Sequence, residues 1–181
     1  PLRKTPHYNS SGSSCDARGR WPADFMGGCP VCSNQGMVDI PMVYSLIATA
    51  PSMAARRVIV VDCGFKGGQS MTGRKFDNVE MPPAVLAKAG YRIEDVDTLV
   101  LTHLHFDHAG NFDAFPNARI LVQRMEYERW KETIASMPDT SIGKQHWALS
   151  SMDIDAFERF DDAVRDGKVD LLDGDTQIAA G

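Results

Sequence analysis

Residues 58–61 read Val-Ile-Val-Val, four β-branched side chains in a row with no polar residue between them. A strand with one wet face alternates apolar and polar residues. One that does not alternate must be covered on both faces. This strand is read over Arg57–Cys63, and Gly64, Gly67 and Gly68 end it. Upstream, Ile40–Ala50 (I-P-M-V-Y-S-L-I-A-T-A) reads as a neighbouring strand with Pro41 near its start, joined to the first by the loop around Pro51. Downstream, Asp97–Thr102 (D-T-L-V-L-T) reads as a buried strand and Ala118–Gln123 as a further short one.

Helical punctuation separates these strands. Pro82 and Pro83 precede A-V-L-A-K-A, and Gly90 follows, which predicts a helix at about 82–89. Tyr127, Trp130, Ile134 and Met137 recur at helical spacing over 124–137, which predicts a helix at about 124–136, as do Ile154, Phe157, Phe160 and Val164 over 153–165. Val169–Leu172 and Thr176–Ala179 read as strands about an Asp-Gly turn at 173–174. Strands first, then strands alternating with helices, predict a mixed α/β (α+β) domain with a sheet packed against helices.

The 181 residues suffice for one domain with its own core, and 43% hydrophobic against 24% charged residues is the balance of a folded protein. Polar residues 1–37 read as an N-terminal arm and loop, and 38–181 as the domain. A net charge of −5 leaves no basic stripe for phosphates, which argues against nucleic acid as a partner. The longest aliphatic run is too short to span a bilayer, so no membrane partner is expected. Arg3 and Lys4 are not followed by the apolar stretch of a signal peptide, and a cytoplasmic location is the expectation. Cys29 and Cys32 form a C-x-x-C, yet no second pair stands at zinc-module distance, and the Gly/Pro-rich setting is not the helix start of a redox pair. With Cys15 and Cys63 they read as structural or incidental. Whether the chain pairs as a homodimer is left open.

The chemistry lies in Leu101-Thr102-His103-Leu104-His105-Phe106-Asp107-His108-Ala109-Gly110-Asn111, where three of the five histidines fall within six residues. His103 and His105 are two apart, so at a strand end they project to one side while Leu104 and Phe106 anchor the other. Asp107 and His108 follow where the chain turns. Burying these imidazoles and a carboxylate without a partner would be costly. Two imidazoles on one flank and a carboxylate with an imidazole on the next suit two adjacent divalent metal ions, Zn with Mn, Fe or Co as alternatives.

T-H-L-H-F-D-H-A-G at 102–110 resembles the H-x-H-x-D-H signature of the metallo-β-lactamase superfamily, in the form of its N-acyl-homoserine lactonase and pyridoxolactonase branch. V-I-V-V-D-C-G at 58–64 resembles that family's strand ending in Asp-x-Gly. The run from Pro82 to Thr102 resembles the helix and strand leading into the motif. Asp173-Gly174-Asp175 and the final I-A-A-G resemble the hairpin before the next metal-binding segment. The resemblance covers residues 38–181. It implies a metallo-β-lactamase-like αβ/βα sandwich, incomplete in this chain. His103 and His105 would hold one metal, Asp107 and His108 the second, and Asp62 would steady the motif loop. The implied activity is a dinuclear metal-dependent hydrolase that opens a lactone, or a similar ester or amide bond of a small molecule, by a metal-bound hydroxide. Asp107 is its candidate catalytic carboxylate. Trp21, Phe25, Trp130 and Trp147 are candidate substrate walls, with Met137 and Met152 beside them.

The family's further ligands, a His in a T-x-G-H-like segment, a bridging Asp and a late His, are expected after Gly181, so the domain reads as truncated at its C-terminus. His7 and His146 sit in no such segment, and His146 reads as a solvated or lid residue. A thioester hydrolase or sulfatase of the same fold, and a non-catalytic binding module with an incomplete metal site, are the alternatives.

Overall fold

The computed structural model describes residues 5–6, 37–38, 43–49, 56–66, 79–137, 149 and 151–179. Its centre is a five-stranded sheet of β3 (Ser45–Ala48), β4 (Val58–Val61), β5 (Thr98–Val100), β6 (Arg119–Gln123) and β7 (Val169–Leu172), lying side by side in that order. β3 runs antiparallel to β4, pairing Leu46 with Val60. The other three contacts are parallel, with Val60 opposite Leu99, Leu99 opposite Ile120, and Leu121 opposite Asp170. Parallel neighbours need crossovers, and helices supply them. Helix α1 (Pro82–Lys88) lies between β4 and β5. The short α2 (Phe106–Ala109) follows β5, and α3 (Arg124–Ala135) and α4 (Ile154–Arg165) lie between β6 and β7.

The helices begin where the sequence marks them. Pro82 and Pro83 open α1, where their missing N–H groups have no helical partner to lose. Asp153 caps α4 by accepting the Ala156 N–H at 3.0 Å. The face of α4 formed by Ile154, Phe157 and Phe160 joins Val58, Val60, Leu86, Leu99, Leu101, Ile120, Val122 and Val169 in one core. Burying one phenylalanine of this kind contributes about 2–3 kcal/mol. Val58, Ile59 and Val60 are all buried, as their unbroken apolar run requires. No helix among the described residues is long and apolar enough to cross a membrane.

Several boundaries differ from the sequence reading. The strand expected over 40–50 is confined to Ser45–Ala48 among the described residues. The strand expected over 97–102 stops at Val100, because the next turn of chain gives its Thr102 N–H to the Asp62 side chain. Residues 176–179 form no strand. Both backbone groups of Gly174 are taken by the Gln123 side-chain amide at 3.1 Å, so the Asp-Gly turn is tied to the end of β6 instead of closing a hairpin. In the expected arm, β1 (Thr5–Pro6) pairs antiparallel with β2 (Met37–Val38), which straddles the expected boundary with the domain. Two-residue strands carry no periodicity for a sequence to display.

Candidate functional site

The site grows out of the C-terminal ends of β4 and β5. Past Val100 the chain buries Leu101, Leu104 and Phe106, and the residues between them, Thr102, His103 and His105, face away from the core. His103 and His105 thus lie beyond the strand, in irregular chain, and still share a side. Their rings meet edge to face at 4.5 Å between centroids. Asp107 and His108 sit on α2, which the sequence reading took for loop, and this turn swings the His108 ring to 4.0 Å from His103. The His108 Nε2 is 3.7 Å from the Asp107 carboxylate.

Asp62 organises this cluster from below. It is buried, at 7% exposure, and adopts φ +61°, a left-handed conformation that aspartate tolerates better than most side chains. Its backbone N–H stays tied to Val100 O at 2.8 Å. Its carboxylate accepts the Thr102 N–H at 2.9 Å, the Thr102 hydroxyl at 2.9–3.0 Å, and His108 Nδ1 at 2.8 Å. Thr102 Oγ1 also lies 3.0 Å from His103 Nδ1. A hydroxyl has one proton, and here it goes to the carboxylate, so His103 Nδ1 must donate to the hydroxyl oxygen. Nδ1 of His103 and of His108 is thus the donor in these bonds, and in a neutral imidazole that arrangement leaves on Nε2 the lone pair that binds a metal. Burial, with the His108 and His105 rings beside it, holds His103 below the ordinary histidine range and favours this neutral form.

Close packing fixes the rest. The Cys63 N–H and thiol both donate to His108 O, at 2.8 and 3.1 Å, and Asn111 Nδ2 donates to Cys63 O at 2.9 Å. Burial pushes the Cys63 thiol up, so it stays protonated, a structural group as its sequence reading held. A Cβ on Gly110 would stand 2.5 Å from Phe106 O and 2.8 Å from Phe65 Cα, so only glycine lets α2 end against the chain that follows β4. From α3, Glu126 Oε1 accepts the Leu104 N–H at 2.9 Å and the Trp130 indole N–H at 2.8 Å, and the Trp130 ring stands 5.7 Å from that of His105.

The structure thus brings together Asp62, His103, His105, Asp107, His108 and Trp130. Trp21, Phe25, Trp147, His7, His146, Cys15, Cys29 and Cys32 lie outside the described residues. Met152 is buried in the core and Met137 is partly buried and packs against it. Thr102 and Glu126 escaped the sequence reading. The only signals were a hydroxyl directly before the first histidine and a glutamate four residues before a tryptophan. The donor set, three imidazoles and a carboxylate, suits divalent ions chemically. Among the described residues, however, no group of three or more His, Cys, Asp or Glu side chains is placed to hold an ion.

The metallo-beta-lactamase superfamily profile matches residues 52–178, more than half of the chain, and the chain belongs to that superfamily. A 44-residue stretch is 50% identical to an N-acyl homoserine lactonase of Bacillus cereus, covering 24% of this chain and 18% of that enzyme. The fold matches that of Bacillus thuringiensis AiiA, solved as a mutant with N-decanoyl-L-homoserine at its active site. That match has a TM-score of 0.55 at 18% identity and covers 100% of this chain and 60% of that one. It also matches an N-acyl homoserine lactone hydrolase with N-hexanoyl-L-homoserine bound at its catalytic metal centre, with a TM-score of 0.54 at 19% identity, covering 99% and 60%. The chain therefore spans about three-fifths of these solved lactonases and shares their fold.

Proposed function

We propose that this chain carries the histidine–aspartate part of a dinuclear metal-dependent hydrolase that opens a lactone, or a similar ester or amide bond, of a small molecule. The observation that carries this reading is the pair of imidazoles, His103 and His108, held at Nδ1 by Thr102 and Asp62 with their rings 4.0 Å apart. In this reading His103 and His105 hold one divalent ion, Asp107 and His108 the other. When bound, such ions lower the pKa of water toward ~7 and polarise a carbonyl. The chain's own residues do the rest. Asp62 and Thr102 hold the His108 and His103 rings at Nδ1 and so fix their orientation. In this reading Asp107 would orient water and pass its proton to the leaving alkoxide. Trp130 walls the His105 side with an apolar ring. The lactone preference draws on the Bacillus lactonase segment and on the products in the solved lactonases.

The test is to load the full-length protein with Zn²⁺ or Mn²⁺ and assay an N-acyl homoserine lactone, an aryl ester, a thioester and an aryl sulfate. Lactone hydrolysis with close to two ions per chain is expected, both lost in His103→Ala. Protein that binds no metal would refute the reading. The lack of a closed three-donor group among the described residues favours a second reading, a metal-binding module without turnover. Metal uptake with no hydrolysis of any of the four substrates would select it.

A further inference from the structure

Glu126 has no place in the donor set, yet its carboxylate reaches into the motif loop. One oxygen, Oε1, accepts two N–H groups: the backbone N–H of Leu104, the residue between His103 and His105, and the indole N–H of Trp130, one helical turn further along α3. The Leu104 side chain is itself buried, so this peptide is held by its apolar side chain on one side and by a carboxylate on the other. Trp130, fixed by the same oxygen, sets its ring against His105. Glu126 lies in the first turn of α3, where the helix dipole favours a negative charge. A charge-assisted bond from a rigid helix is well suited to fixing a loop that has no strand partner of its own.

We propose that Glu126 is a positioning residue of the metal centre: through Leu104 N–H and Trp130 it sets the spacing and tilt of His103 and His105. This rests on the metal-dependent reading above, and it adds a residue on α3, outside the motif, whose effect is transmitted through others. Outer partners of this sort commonly govern metal affinity by about ten- to a hundredfold.

The test uses the full-length protein loaded with Co²⁺ and three readouts: the visible ligand-field spectrum, Co²⁺ affinity by chelator competition, and hydrogen exchange at the Leu104 amide. Glu126→Ala should shift the spectrum, weaken Co²⁺ retention about tenfold or more, and unprotect Leu104. Glu126→Gln, which keeps an acceptor at Oε1, should restore most of all three. Glu128→Ala, at an exposed position of the same helix, should change none. If the alanine variant does not fold, Glu126→Met, which fills the space without an acceptor, carries the comparison. A variant without the acceptor that keeps the wild-type spectrum, affinity and Leu104 protection would overturn the proposal. Wild-type protein that takes up no Co²⁺ would instead sink the metal reading, and Leu104 exchange would still decide whether Glu126 holds the loop.

Discussion

At the N-terminal end of β4 and β5, Asp97 accepts the Val58 N–H at 2.6 Å, the Arg57 guanidinium at 2.7 Å and the Thr98 hydroxyl at 2.7 Å. At the C-terminal end of the same two strands, Asp62 accepts a backbone N–H, a threonine hydroxyl and an imidazole. Each carboxylate bridges the two strands with a similar set of donors. The difference is where the chain of bonds ends. Arg57 is a permanent cation with no lone pair to offer, so the Asp97 network closes on itself. The Asp62 network runs into two imidazoles, His108 directly and His103 through Thr102, whose second ring nitrogens are not used by it. One arrangement staples a sheet, and nearly the same arrangement with histidine in place of arginine holds the candidate metal-binding imidazoles. Exposure divides them too: the Asp97 side chain is 35% exposed and that of Asp62 9%.

The largest effect should come from Asp62. Asp62→Ala strands the Thr102 N–H and releases both rings, and should cost about 3 kcal/mol together with metal retention. Asp62→Asn keeps the side-chain shape and tolerates the left-handed backbone, so its cost should fall to about 1–2 kcal/mol while metal retention is still lost. Urea melts and metal analysis read both. Wild-type metal retention in the asparagine variant would reduce Asp62 to a staple like Asp97 and break the contrast. Next is Gly110→Ala, which forces a methyl group into Phe106 O and Phe65 and should cost about 2 kcal/mol in thermal or chemical melts.

Asp97→Asn should cost about 1 kcal/mol and leave metal binding unchanged. Its pH signature sharpens the comparison. Burial raises the Asp97 carboxyl, but the bonds from Thr98, Val58 and Arg57 outweigh it and hold the group below the ordinary carboxylate range. A lowered folded value means that its contribution is present above the unfolded pKa of ~3.9 and is lost as pH falls through the folded value. The gap in urea midpoint between wild type and Asp97→Asn should therefore be flat above about pH 5 and close at lower pH. A gap that closes between pH 6 and 8 would contradict this. The smallest effect is expected from Arg119→Ala. Its bidentate pairing with Asp170 is exposed, and melts should not resolve the change.

The sheet was legible in sequence because it is built from apolar runs that nothing else explains. Val58–Val61 and Leu99–Val100 are strands where the pattern puts them, and Pro82 and Asp153 mark helix starts that the structure keeps. The donor residues were legible because their spacing is short. Their scaffold was not. Helix α2 spans only Phe106–Ala109, too few residues for a periodic signal. Glu126 meets Leu104 across 22 positions, and Asp62 meets His108 across 46, distances over which a single sequence shows no coupling. The supposed hairpin at 173–174 failed for a related reason. The Asp-Gly pair did make a turn, with Gly174 at φ +77°, but the choice of partner fell to a glutamine fifty-one positions away.

Those long sequence separations also bear on the order of events during folding. The segment from Thr102 to Gly110 is fastened to Asp62, Cys63, Glu126 and Ser151, with the Ser151 carbonyl accepting the Phe106 N–H at 2.9 Å. None of these anchors is local, and each requires a large loop to be closed before its bond can form. The β3–β4 antiparallel pair, by contrast, joins nearby stretches of chain. Secondary structure should therefore mature before the histidines find their places. In a refolding experiment the far-ultraviolet signal should recover ahead of competence to capture an added metal ion, with the lag between them measuring the time taken to lock the loop. Simultaneous recovery of the two signals would show that the loop docks with the sheet.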